Sequence, residues 1–136
     1  MPRRSKSAEL LDFEIRFYEK LLHAYPDFVD VLWPLGDAYT KRGFHEKGLQ
    51  VDLRLAELRR ADPLAWYNLA CSYSLLNRLD DATNALRQAI VLGYRDREYL
   101  QRDPDLTNLR KSPTYRQLLE SLASLSASSS LPPTSA

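Results

Sequence analysis

A spacing of 34 residues constrains this chain more than any single motif does. Trp66, Leu69, Ala70 and Tyr73 recur at helical intervals. After the polar turn of Asn77, Arg78 and Asp80, so do Ala82, Ala85, Leu86, Ala89 and Ile90. Thirty-four residues earlier stand Leu32, Leu35, Gly36 and Tyr39, then Gly48, Asp52 and Leu55; one more step back gives Glu14, Tyr18 and Leu21. Large, small and aromatic positions kept in register at this period predict antiparallel helix pairs, with Gly36 and Ala70 leaving room for a close neighbour. The fold class that follows is all-α.

On these residues the chain resembles the tetratricopeptide repeat family. Its first-helix pattern of Trp, Leu, Gly and Tyr is met by Trp66, Leu69, Ala70 and Tyr73, with alanine for the usual glycine. Its second-helix pattern of Ala, an aromatic and Ala is met by Ala82, Leu86 and Ala89, with leucine for the ring. The earlier copy departs further, since Leu32 replaces Trp, Gly48 replaces Ala and Asp52 stands where an apolar ring is expected. The resemblance implies a right-handed superhelical α-α stack of two repeats, over about 29–62 and 63–96, inside a helical domain spanning 7–124. An N-terminal helix would close one end and a helical cap over about 97–124 the other. The run from Asp103-Pro104-Asp105-Leu106 through Leu109-Arg110 to Pro113, Tyr115, Leu118 and Leu119 also resembles the closing segment of small bacterial tetratricopeptide proteins, which implies a bacterial source.

Local signals set the element boundaries. Ser7 precedes the stripe Leu10, Leu11, Phe13, Phe17, Leu21 and Leu22, and is a suitable N-cap. Asp27 is the expected cap of the second helix, where Pro34, lacking a backbone donor, implies either a late start near Val31 or a bend; the cap at Asp27 and the register of Leu32 with Trp66 favour the bend. Gly43 ends that helix, and a third runs from His45 to about Arg60. Asp62-Pro63, Asp103-Pro104 and Ser112-Pro113 each place a capping side chain before a first-turn proline. Residues 1–6 read as a flexible leader and the Ser/Pro-rich stretch 125–136 as a disordered tail.

Composition narrows the function classes. Nineteen basic against eighteen acidic residues leave a net charge of +1, which argues against a nucleic-acid or anionic-membrane partner. No apolar run approaches the roughly 20 residues of a membrane span, so a cytoplasmic protein is expected. The single cysteine, Cys71, allows no internal disulfide and has no Cys-His motif beside it. His23 and His45 lack partners at metal-ligand spacing, and Gly36, Gly43, Gly48 and Gly93 are too scattered for a phosphate loop. The expected protein has no catalytic residues, no cofactor and no metal.

The resemblance then implies a protein-binding scaffold, in which the first helix of each pair lines a groove that takes a peptide or partner helix. Carried onto this sequence, that face comprises Asp30, Trp33, Asp37, Thr40 and Lys41, together with Leu64, Tyr67, Cys71, Ser74 and Leu75. Trp33 and Tyr67 are the expected anchors, because aromatic residues dominate interface hot spots; whether Trp33 lines the face or tucks against the N-terminal helix stays open. Trp33 and Asp37 occupy positions where the family's carboxylate clamp needs Lys and Asn, so a less acidic-seeking groove is expected. The alternative is a self-associating protein whose end helices pair between copies through Phe13, Phe17, Leu118 and Leu122.

Overall fold

The computed structural model describes residues 6–130, with side chains described as far as residue 124. Every regular element among them is helical. The chain falls into two compact units, the first ending at Arg60 and the second beginning at Ala61. Residues 1–5 of the expected leader lie outside the described residues.

The first unit holds three helices, α1 (Ala8–Ala24), α2 (Val29–Arg42) and α3 (His45–Leu58), with α1 packed on α2 and α2 on α3. Ser7 caps α1 as its position predicts, its hydroxyl accepting from the Leu10 amide at 3.1 Å. Leu11 and Ile15 of α1 then meet Leu32, Leu35, Ala38 and Tyr39 of α2, and Val51 and Leu55 of α3, in one core. Tyr18, Leu22, Val29, Trp33 and Leu58 pack partly against it. Gly43 ends α2 at φ 86°, where a side chain would be strained, and the Phe44 amide folds back to the Tyr39 carbonyl at 2.8 Å. Arg42 at that end reaches Asp12 of α1 at 2.9 Å.

One expectation is corrected in this unit. Asp27 does not cap α2, whose N-cap is Phe28 with no side-chain bond; its carboxylate instead accepts from Arg54 of α3. Of the two readings of Pro34, the late start is not the one adopted, since α2 begins at Val29 and continues past the proline to Arg42. The packing of Leu35, Ala38 and Tyr39 beyond Pro34 holds the helix together where local propensity alone would break it.

In the second unit α4 (Pro63–Leu75) pairs with α5 (Leu79–Val91). Asp62 caps α4, its carboxylate accepting from Leu64 N at 2.9 Å with Pro63 in the first turn. The intervening turn needs Asn77 at φ 59°, a left-handed conformation that asparagine tolerates better than most residues. Ala82, Ala85, Leu86 and Ala89 are buried, as the small-residue face predicts. After Gly93 the chain forms α6 (Arg97–Arg102), a 3-10 turn (Pro104–Leu106), α7 (Thr107–Arg110) and α8 (Pro113–Ser130). The helix over 97–102 is one that no proline-marked start in the sequence announces.

The 3-10 turn and α7 pack on α4, and α7 and α8 on α5. Leu100, Leu106 and Leu109 are fully buried, and the Arg110 guanidinium donates to the carbonyls of Leu100 and Asp103, which ties α6 to the turn. Leu118 and Leu122 are buried as well and fill this core, so of the four residues named for self-association only Phe13 and Phe17 stand exposed. At the start of α8 the Ser112 hydroxyl meets that of Thr114 at 3.0 Å. The backbone of α8 continues to Ser130, well past the expected start of the tail at 125; residues 131–136 lie outside the described residues.

Candidate binding faces on the two units

The element starts repeat at the period of the sequence. From Val29 to Pro63, and again from His45 to Leu79, is 34 residues. Asp30, Trp33, Asp37, Thr40 and Lys41 of α2 are therefore the counterparts of Leu64, Tyr67, Cys71, Ser74 and Leu75 of α4. Within their own units the two rows have different surroundings.

On α4 the row is covered by the chain's own closing segment. The Tyr67 hydroxyl donates to Asp103 Oδ2, and Cys71 Sγ lies 3.7 Å from the same oxygen. Asp103 Oδ1 accepts from the Asp105 amide at 3.0 Å, so this buried carboxylate both caps the 3-10 turn and anchors it to α4. Four residues along α4 from Ala70, the Ser74 hydroxyl accepts from the Leu109 amide at 3.1 Å while its carbonyl accepts from Asn108 Nδ2 at 3.0 Å. Tyr94 stacks on Tyr67 with ring centroids 4.5 Å apart. Burial pushes the Tyr67 phenol well above the usual tyrosine range, with Cys71 and Asp103 adding to the shift, and lifts Tyr94 to about 12.

This corrects the expected anchor. Tyr67 is only 5% exposed, and Cys71 and Ser74 are buried with it, because residues 100–109 lie on them. Leu75 is half-buried, and Leu64, near the start of α4, stays open at 55% exposure. Asp103, Asn108 and Leu109 are partners of this face that the repeat pattern does not predict. The available signal is the failure of the 34-residue period after Gly93, which marks a segment doing something other than starting a third pair.

On α2 the row is open within its unit. Asp30, Asp37 and Lys41 are exposed, and Trp33 and Thr40 are half-buried. Trp33 packs partly against the unit's core and is half-buried there. Lys41 Nζ pairs with Asp37 at 2.7 Å one turn away. An exposed pair of this kind contributes little, roughly 0.3–0.5 kcal/mol, and leaves both charges able to exchange partners. Thr40 Oγ1 is turned inward to the Gly36 carbonyl at 3.1 Å.

Cys71, Asp103 and Asp105 bring potential metal-ligand atoms within 4.8 Å of one another, a grouping that their separation in the sequence conceals. Both Asp103 oxygens, however, already accept bonds from Tyr67 and the Asp105 amide, which accounts for the burial of this carboxylate without an ion.

No protein-family model matches the chain. One stretch is similar to a chloroplastic protein of Arabidopsis thaliana, at 35% identity over 91 residues, covering 62% of this chain and 26% of that protein. The chain thus spans about a quarter of the length of this curated relative. The relative's chloroplastic location gives no support to the expected bacterial source or cytoplasmic location. Among the described residues, no helix is long and apolar enough to cross a membrane.

Proposed function

We propose that this chain is a non-enzymatic protein-interaction module built on tetratricopeptide-like helix pairs, and that its open recognition surface is the α2 row centred on Trp33. One observation carries the reading: the equivalent row of α4 already holds a short segment of this same chain. That segment supplies a carboxylate to Tyr67 and backbone and amide donors to Ser74. The internal contact is a template for how such a row receives a turn or short helix.

The α2 row differs from the template in chemistry. Where α4 presents a phenol and a thiol to an aspartate, α2 presents an indole and two exposed carboxylates, Asp30 and Asp37. An acidic ligand is disfavoured there by like charge. The matching ligand is a peptide or partner helix with an apolar side chain for Trp33 and a Lys or Arg for Asp30 and Asp37, the indole and carboxylates together favouring a cation.

Panning a displayed peptide library on the whole chain tests this. Enriched peptides should carry a basic residue near an aromatic or aliphatic one. They should bind Trp33→Ala and Asp37→Lys variants at least about tenfold more weakly, a loss of about 1.4 kcal/mol. Peptides that bind both variants as tightly as the parent would remove the α2 row as the site.

A further inference from the structure

Helix α1 has two apolar faces, and its own unit uses one of them. Leu11, Ile15, Tyr18 and Leu22 turn toward the core. Leu10, Phe13 and Phe17 form a second stripe at i, i+3 and i+7, and are 45%, 62% and 53% exposed. Half-buried Leu21 and exposed Ala24 continue it. At 1.5 Å per residue the stripe from Leu10 to Ala24 is about 21 Å long. Single exposed apolar residues are ordinary, but two phenylalanines and a leucine in one continuous row mark an interaction surface.

The charges beside the stripe are sorted along its length. Glu9 flanks its start, and Arg16 and Lys20 flank its later half on the same edge. The ion pairs that α1 makes among the described residues, Lys6–Glu14 and Asp12–Arg42, leave Glu9, Arg16 and Lys20 out. A parallel partner with the same sequence would set Glu9 beside Glu9 and Lys20 beside Lys20. An antiparallel one sets Phe13 level with Phe17, Leu10 level with Lys20 and Leu21, and Glu9 within reach of Lys20, twice over by symmetry. The stripe is therefore self-complementary in the two-fold sense that an isologous interface requires.

We infer that α1 docks on α1 of a second copy of this chain in antiparallel orientation, through Leu10, Phe13, Phe17 and Leu21, with Glu9 of each copy paired to Lys20 of the other. This goes beyond the peptide-binding reading and uses none of the residues of the α2 row.

The test is the solution mass of the full chain by sedimentation equilibrium across a hundredfold concentration range. The mass should rise from the 15.7 kDa of one chain toward twice that value. The Phe13→Glu, Phe17→Glu variant should raise the dissociation constant at least about tenfold while keeping the parent's helical circular dichroism. Glu9→Lys alone should weaken the dimer and Glu9→Lys with Lys20→Glu should restore it, a readout that general loss of stability would not give. A single-chain mass throughout, a dimer unaffected by the phenylalanine changes, or a double charge reversal that fails to recover would each overturn the inference.

Discussion

The Tyr67 hydroxyl is bonded to the carboxylate of Asp103, 36 residues further along the chain, and this contact fastens the closing segment to α4. Both groups are buried, so neither can replace the other with bulk water. Tyr67→Phe should cost about 1–3 kcal/mol, since it leaves a buried acceptor short of a donor. Asp103→Ala should cost more, because it also removes the cap on the 3-10 turn. In urea melts the double variant should be less destabilised than the sum of the singles by at least about 0.5 kcal/mol. Strict additivity would show that the two side chains do not act together.

The same phenol gives the fold an alkaline limit. Tyr67 has its folded-state pKa raised, and Tyr39 and Tyr94 are each lifted to about 12, in every case chiefly by burial. A raised pKa means that the folded state keeps a proton which the unfolded chain gives up near pH 10. The stability so contributed is complete below pH 10 and is lost as pH climbs toward 12 and beyond. Thermal melts should therefore hold steady on the alkaline side up to pH 10 and fall steeply above it. Tyr67→Phe should flatten that fall, and a parent whose melting temperature is unchanged between pH 9 and 11.5 would contradict the assignment.

Much of the helical layout is legible because it is written locally. Ser7, Gly43 and Asp62-Pro63 act on backbone groups within a turn of themselves, and each does in the structure what its residue type predicts. Asp27 departs from its expected role because Arg54, on another helix, competes for its carboxylate. The covering of Tyr67, Cys71 and Ser74 is not legible for the same reason: it depends on where residues 100–109 land, and no periodicity in α4 encodes that. Of the site that the family resemblance implied, Asp30, Asp37 and Lys41 of α2 are exposed and Trp33 and Thr40 half-buried, whereas Tyr67, Cys71 and Ser74 of α4 are buried. The extension of α8 to Ser130 is hidden by a serine-rich composition that reads as loop, although Leu118 and Leu122 seat the start of the helix firmly in the core.

Gly36 shows how closely α2 and α3 approach. A Cβ placed there would lie 3.0 Å from Asp52 Oδ1 and 3.3 Å from Val51 Cγ1. Asp52 is buried in α3, so its carboxylate has little space into which to withdraw. Gly36→Val should overpack this contact and cost about 1–3 kcal/mol, exceeding the roughly 0.5 kcal/mol or less that valine gains over glycine in helix propensity. A melting temperature equal to the parent's would mean that the two helices can part without loss.

Pro34 is the one position where α2 forgoes a hydrogen bond to keep its register. The helix begins at Val29, so an amide at 34 would reach back to the carbonyl of Asp30. Pro34→Ala restores that donor and relieves the clash with the preceding turn, effects of about 3 kcal/mol in an isolated helix. The substitution also frees the unfolded chain, which offsets about 1 kcal/mol, and the native packing has already absorbed part of the clash. The net change should be a stabilisation of roughly 1 kcal/mol in urea melts, with no loss of binding by peptides selected on the α2 row. If Pro34→Ala instead destabilises the chain, the proline ring itself contributes packing beside Trp33, and the row would need its present backbone shape to remain presented.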